Sequence, residues 1–420
     1  MKMRLFLLLS VLFAAHITYS VYASCMPEIG GEYLLSEPTP YSSERGYGYD
    51  VVPAPSAESN QPFFYSVKVP DGNYKVTLLI GSYEKAGITT VRAESRRQYV
   101  SQLATRKGEF VELSFVVHKR SPVIYGNESV AIKERERNTF TWDDKLTLEF
   151  NGDAPVCERI RIEPADSSVV TVFLCGNSTV VDQSQEPWAS WGQMIPAFFN
   201  ERVCIANYAE SGESANTFIS GGRLKKALSM MKEGDYLFIE FGHNDQKQSG
   251  PGKGAWYSFM TSLKVFVDEV RAKGAHPVLL TPTQRRRFDA SGTNQNTHGE
   301  FPDAMRWLAQ KEGVALIDLN EMTRLLFNAL GEEGSKRALV HYPAGTFPGQ
   351  TVALADNTHF SVYGANQVAK CVITGIQQVL PGLAAFLSSE IAYNPGQPND
   401  PDSFVWHLSP FFDREKPDGD

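Results

Sequence analysis

Cysteine is scarce in this chain and nowhere clustered. Five occur in 420 residues, at positions 25, 157, 175, 204 and 371, and no two form the CxxC pair that a structural metal site uses. A basic excess is missing too: 40 Lys and Arg stand against 48 Asp and Glu, a formal charge of −8 spread along the chain. Nucleic acid or an anionic membrane surface needs a concentrated basic face, so neither suits as a partner. Beyond the first 15 residues no apolar run approaches the roughly 20 residues of a membrane-spanning helix. No stretch has the composition of a disordered tail or a fibrous repeat.

The chain has instead the balance of a globular protein with a real core, at 42% hydrophobic and 21% charged residues. Its length exceeds one usual compact domain, so two are expected. Lys2 and Arg4 precede the apolar run Leu5 to Ala15, and small residues surround Val21-Tyr22-Ala23. That is the layout of a secretory signal peptide over residues 1–24. Its removal takes away two cations and moves the formal charge from −8 to −10. The expectation is an exported protein: periplasmic, a cell-surface lipoprotein or extracellular. Cleavage after Ala23 suits a small-x-small signal. Tyr22-Ala23-Ser24-Cys25 also resembles a bacterial lipobox, which would put a lipid anchor on Cys25. Cys175 and Cys204 sit in apolar runs and read as buried thiols.

Residues 27–165 read as β structure. Phe63 to Val69, Tyr74 to Ile80, Phe110 to Val117, Lys145 to Phe150 and Arg159 to Ile162 are short β-rich runs between turn residues. With no convincing amphipathic helix among them, they predict an all-β, jelly-roll-like antiparallel sandwich. It is similar in architecture to galactose-binding-like modules, and an inert packing role is as consistent with it as sugar binding. From residue 169 the rhythm changes. Continuous apolar runs at Val169–Leu174, Val203–Tyr208, Tyr236–Phe241, Pro277–Leu280 and Val314–Leu319 alternate with helical patterns. The helical stretches are Trp191–Asn200, Leu224–Lys232, Trp256–Ala272, Pro302–Glu312, Glu321–Leu330 and Val362–Leu380. This predicts a three-layer α/β/α domain with a parallel sheet over residues 169–390, followed by a C-terminal extension over 391–420. Reactive groups in such sheets gather beyond the carboxyl ends of the strands.

Four segments lie at those ends. The first strand runs into Gly176-Asn177-Ser178-Thr179 and the second into Tyr208-Ala209-Glu210-Ser211-Gly212. The third runs into Gly242-His243-Asn244-Asp245, and Asp356-Asn357-Thr358-His359 precedes the last helix. Singly each has a plain reading, a capping turn or a surface histidine. In this order they resemble the four blocks of the SGNH/GDSL hydrolase superfamily, across residues 170 to about 380. The resemblance implies Ser178 as nucleophile, His359 as its base and Asp356 orienting His359. It implies an oxyanion hole from the backbone N–H groups of Ser178 and Gly212 and the amide of Asn244. No metal or organic cofactor is implied. Asn177 departs from the usual motif, which has Asp there; an amide still accepts a local hydrogen bond through its oxygen.

Within the superfamily, residues 176–183, Trp188-Ala189-Ser190-Trp191-Gly192, Phe241 to Gln246, Thr281 to Phe288 and Asp356 to Phe360 resemble rhamnogalacturonan acetylesterases most. That resemblance implies a secreted carbohydrate esterase removing acetyl groups from pectin, with an acetylated polysaccharide as its partner. Arg285, Arg286 and Arg287 follow the fourth strand, and guanidinium forks suit galacturonate carboxylates. The plain alternative is a solvated loop paired with Asp289. Trp188, Trp191 and Trp256 offer sugar-stacking faces or, equally simply, core packing. Alternatives kept open are xylan acetate, lipid acyl esters and a non-catalytic carbohydrate-binding surface protein.

Overall fold

The computed structural model describes residues 29–56 and 59–410. The signal segment and Cys25 lie outside the described residues. The N-terminal part is β-rich, as expected. It comprises β1 (Gly31–Leu34), β2 (Tyr47–Asp50), β3 (Phe63–Lys68), β4 (Gly72–Gly81), β5 (Gly87–Ala93), β6 (Arg97–Thr105), β7 (Phe110–Lys119), β8 (Val123–Tyr125), β9 (Glu128–Ser129), β10 (Lys145–Asn151) and β11 (Arg159–Pro164). The rest alternates: β12 (Val170–Gly176), α1 (Trp191–Met194), β13 (Val203–Asn207), α2 (Ala215–Ser220), α3 (Arg223–Met230), β14 (Tyr236–Glu240), α4 (Met260–Ala272) and β15 (His276–Leu280). Then follow α5 (Phe301–Glu312), β16 (Ala315–Ile317), α6 (Leu319–Gly334), β17 (Leu339–Tyr342), β18 (Leu354–Phe360), α7 (Val362–Val379) and α8 (Pro381–Ala384).

One large sheet has the order β1-β11-β4-β7-β13-β12-β14-β15-β16. Its first four strands pair antiparallel, and the last five, with β7 beside β13, run parallel. A second, antiparallel sheet has the order β2-β3-β10-β5-β6. The antiparallel half of the large sheet shares a core with this second sheet. Val76, Leu78 and Ile80 of β4 and Ile160 and Ile162 of β11 pack with Tyr65 and Val67 of β3 and Leu146, Leu148 and Phe150 of β10. The parallel half is covered on both faces, which is why its strands read as unbroken apolar runs. Val172, Leu174 and Phe238 meet Phe327 of α6 and Val368, Val372 and Ile376 of α7. Phe173, Leu237 and Ile239 meet Phe218 of α2, Leu224 of α3, Leu263 and Phe266 of α4, and Met305 of α5. This is the expected α/β fold with a parallel sheet between helical layers.

The junction at β7 and β13 is short, with Val116 opposite Cys204 and Val117 opposite Ile205. Polar groups reinforce it. Arg97 donates to the carbonyls of Ile205 at 3.2 Å and His118 at 3.0 Å, and pairs with Asp182 at 3.0 Å. His118 meets the Tyr208 hydroxyl at 2.9 Å, and Asn73 donates to Thr171 at 2.9 Å. Cys157, Cys175, Cys204 and Cys371 are all free thiols; Cys175 and Cys204 are buried, as their apolar runs suggested.

Three local differences from the sequence reading have simple causes. The expected helix from Trp191 stops at Met194 and tightens into a 3₁₀ turn over Ile195–Phe198, because Pro196 removes a helical donor. The helix expected from Trp256 begins as a wide turn over Ala255–Phe259 before α4. The six-residue α2 sits in a polar loop where no apolar stripe announces it. At the other end of the chain, residues 399–410 run back from α7 toward the second sheet. Tyr363 donates to the Asn399 carbonyl at 2.6 Å and Lys370 to its side chain at 2.6 Å. Further on, Trp406 donates to Glu186 at 3.0 Å, and its ring lies 3.7 Å from the Arg92 guanidinium. Asn151 of β10 donates to the Leu408 carbonyl at 2.9 Å. Among the described residues no helix is long and apolar enough to cross a membrane.

Candidate active site

The four segments singled out in the sequence follow β12, β13 and β14 or lie in β18. The first three lie at the carboxyl ends of neighbouring strands of the parallel sheet, and β18 pairs with β17 in a separate two-stranded sheet. Gly176 ends β12 where space is short. A Cβ there would lie 2.9 Å from the Glu240 carbonyl oxygen and 2.6 Å from the Val180 side chain, so the backbone passes only because the residue has none. The turn is then closed by Asn177, whose side-chain oxygen accepts from the Thr179 N–H at 3.1 Å and hydroxyl at 3.0 Å. The amide therefore does the local accepting that an aspartate would do, while its nitrogen finds no acceptor among the described residues.

On this turn the Ser178 hydroxyl lies 2.8 Å from His359 Nε2. The other ring nitrogen, Nδ1, lies 2.8 Å from Asp356 Oδ2. Asp356 Oδ1 accepts from the backbone N–H groups of Thr358 at 2.8 Å and His359 at 3.0 Å, so the carboxylate is held by its own turn. Burial pushes the Asp356 carboxyl up. The hydrogen bond and charge of His359 and the two backbone donors outweigh that and hold it well below the usual carboxylate range. All three side chains are buried. A hydroxyl placed so can pass its proton to the imidazole, and the carboxylate fixes the tautomer that receives it.

Gly212 lies in the loop after β13 with φ +80°, a left-handed conformation that a side chain would strain. Asn244 follows β14 and directs its amide nitrogen to the Glu213 carbonyl at 3.0 Å. The two loops are locked together by Asp245, which accepts from Ala215 N–H at 2.8 Å and Gly242 N–H at 2.9 Å. Burial pushes the Asp245 carboxyl up to about 6, against those donors.

A second ring of polar groups supports the site, and sequence reasoning gave Glu240, Gln183 and Arg96 no role and Arg286 a different one. Glu240, the last residue of β14, accepts from Trp191 Nε1 at 2.6 Å, and its other oxygen lies 2.9 Å from Thr179 Oγ1 and 3.4 Å from the Thr283 N–H. Burial pushes its carboxyl up to about 7, with those donors pulling the other way. Gln183 donates to the Ser178 carbonyl at 2.7 Å. Arg96 spans the carbonyls of Gln183 at 2.8 Å and Trp188 at 3.0 Å. Arg286 takes the Asn357 carbonyl through its N–H at 2.8 Å and so braces the turn between Asp356 and His359. Position offered the one usable signal, since Glu240 ends a strand and Arg286 follows one.

The residues expected to touch substrate divide. Trp191 is 0% exposed and Trp188 4% exposed, so neither shows a ring face on which a sugar could stack; both are core, a correction to the stacking reading. Trp256 is 37% exposed and meets Trp307 edge-on. Arg285 turns inward and donates to the His243 carbonyl at 3.2 Å. Arg287 is exposed, and its side chain meets no partner among the described residues. Asp289 does not pair with it; it closes its own turn through Ser291 and Thr293. Among the described residues no group of three or more His, Cys, Asp and Glu converges to hold a metal ion.

Residues 161–365 match the GDSL-like lipase/acylhydrolase family. Rhamnogalacturonan acetylesterase RhgT of Bacillus subtilis (strain 168) is 44% identical over 212 residues, 50% of this chain and 90% of that protein. The probable rhamnogalacturonan acetylesterase YesY of the same organism is 32% identical over 211 residues, 50% of this chain and 93% of YesY. Its uncharacterized esterase YxiM is 27% identical over 334 residues, 78% of this chain and 77% of YxiM. With this match and the geometry above, the chain belongs to the GDSL-like lipase/acylhydrolase family and is a carboxylic ester hydrolase.

Proposed function

We propose that the protein removes acetyl groups from rhamnogalacturonan, using Ser178, His359 and Asp356 as its catalytic residues. The observation that carries the chemistry is the unbroken chain from Ser178 Oγ through the His359 ring to Asp356, with both contacts at 2.8 Å. The names of RhgT and YesY support the polymer.

In this reading Ser178 Oγ bonds to the acetyl carbon while its proton passes to His359 Nε2. Asp356 keeps Nδ1 protonated and stabilises the imidazolium. The backbone N–H groups of Ser178 and Gly212 and the Asn244 amide take the charge of the tetrahedral oxygen, each worth about 2.7–4 kcal/mol if removed. The C–O bond to the sugar then breaks, and its oxygen takes the proton from His359. Water repeats the sequence on the acetyl-serine, with His359 as base, releasing acetate and the free serine. Every proton gained by His359 is returned within one half-reaction.

Export, directed by residues 1–24, and a plant cell-wall substrate belong to the same proposal. Mass spectrometry of the mature N-terminus separates a free chain from one carrying lipid on Cys25. The substrate test is acetate release from acetylated rhamnogalacturonan, acetylated xylan and an aryl ester series of increasing acyl length. Preference for the pectic polymer and for acetyl supports the reading. A preference for long acyl chains, or no acetate from the pectic polymer, defeats it.

A further inference from the structure

Between the loops that carry Ser178 and Gly212 lies a polar cavity of about 50 Å³. Residues 181–185 line one side and residues 209–211 the other, with Arg120, Arg135 and Glu136 closing it. The first segment continues the Ser178 turn, and the second leads directly into Gly212, so the cavity flanks the acyl site. A single water needs roughly 10–15 Å³, which leaves room here for a group of several heavy atoms.

The charges around it do not cancel. Three carboxylates share the wall and each already has a cation. Asp182 pairs with Arg97 at 3.0 Å, Glu136 with Arg223 at 2.5 Å and Glu210 with Arg135 at 2.5 Å. Arg120, the residue after β7, is a further guanidinium and is only 2% exposed. Its plane is held over Trp142 at 4.2 Å and Tyr208 at 4.5 Å. Its Nε and Nη1 find no acceptor among the described residues, and across the cavity Gln185 Oε1 finds no donor. Glu94, also near Arg120, does not neutralise it, because burial pushes that carboxyl up to about 8. A buried cation fixed on two aromatic faces, on a residue that lines the cavity and has N–H donors without an acceptor, is suited to an anion.

We propose that this cavity is a carboxylate-binding subsite with Arg120 as its anchor. The proposal rests on the polysaccharide reading above for the identity of the sugar. The carboxylate is that of a uronate beside the acetylated residue, or that of the acetate just released. Arg120, Arg135 and Glu136 all lie outside the family match over residues 161–365, so the subsite is something the N-terminal part adds to the hydrolase.

Isothermal titration of the intact protein with sodium galacturonate, galactose and sodium acetate tests this without any turnover. Galacturonate should bind about tenfold more tightly than galactose, which carries a hydroxymethyl group in place of the carboxylate, and Arg120→Met should abolish that difference, with Arg120→Lys intermediate. Arg120-dependent binding of acetate, with galacturonate excluded, also sustains the carboxylate site and assigns it to the product. If wild-type protein does not distinguish galacturonate from galactose and does not bind acetate, the proposal fails, whether or not the variants fold. It fails equally if folded Arg120→Met binds galacturonate as wild type does. In turnover, kcat/KM on acetylated rhamnogalacturonan oligosaccharide relative to an aryl acetate should fall about tenfold in Arg120→Met, through KM. Arg120-dependent galacturonate binding in a protein that releases no acetate from the polymer would remove the substrate reading and leave the subsite standing.

Discussion

The Ser178 hydroxyl meets an imidazole on one side and a tightly closed turn on the other, so losing its single oxygen costs chemistry and little packing. Ser178→Ala should lower kcat on an aryl acetate by a factor on the order of 10⁴ or more while the unfolding midpoint stays near wild type. An active, normally folded Ser178→Ala would move the nucleophile elsewhere. Asp356→Asn should cost about 10⁴-fold in kcat, because the wrong tautomer of His359 would face the serine. The same carboxylate sets an acid limb of stability. The unfolded chain takes up this proton near pH 4, and the folded protein keeps its carboxylate to lower pH. Between those points the unfolded state binds more protons, so stability rises with pH there. The contribution is complete above about pH 4 and is lost as pH falls further. The urea midpoint of Asp356→Asn should therefore change less between about pH 5 and pH 3 than that of wild type, and equal acid slopes would refute the linkage. Gly176 teaches a different lesson. A glycine in a turn suggests conformational freedom, yet its φ is ordinary and the constraint is the nearby Glu240 carbonyl, which only coordinates disclose.

Strands and helices of the parallel half were legible because burial on both faces writes an unbroken apolar run into the chain. Val203 to Asn207 and Tyr236 to Glu240 fall where those runs were read. The hairpin of β17 and β18 was not legible. Asp356, Thr358 and His359 occupy β18 for what their side chains bond to, and polar residues in a strand leave no alternating pattern. Buried charge was equally hidden, since Arg92, Arg96, Arg97 and Glu240 look like surface residues until their partners are seen. Glu240 tests how much the end of β14 matters to the serine turn. The Trp191 and Thr283 N–H groups can only donate, one to each of its oxygens, so Glu240→Gln sets an amide N–H₂ against one of them. The expected loss is about 1–3 kcal/mol of stability by denaturant titration, with reduced kcat on an aryl acetate. A variant as stable and active as wild type would mean that a protonated Glu240 already serves.

Across the whole molecule, the segment 399–410 links α7 to the second sheet through Asn399, Trp406 and Leu408. Truncation after residue 398 uncovers the Arg92 guanidinium and strips two donors from Glu186. The melting temperature should drop by about 5–10 °C, by differential scanning fluorimetry, while kcat per folded molecule is preserved. An unchanged melting temperature would reduce the segment to a passive tail. The junction of β7 with β13 has its own consequence for biosynthesis. Translation completes β7 at residue 119, but its parallel neighbour begins only at residue 203. Throughout that interval a nascent chain presents a bare strand flank of unmet peptide groups, ready to recruit another polypeptide. A chain ended before β13 should therefore aggregate where the full-length protein does not, as light scattering would show.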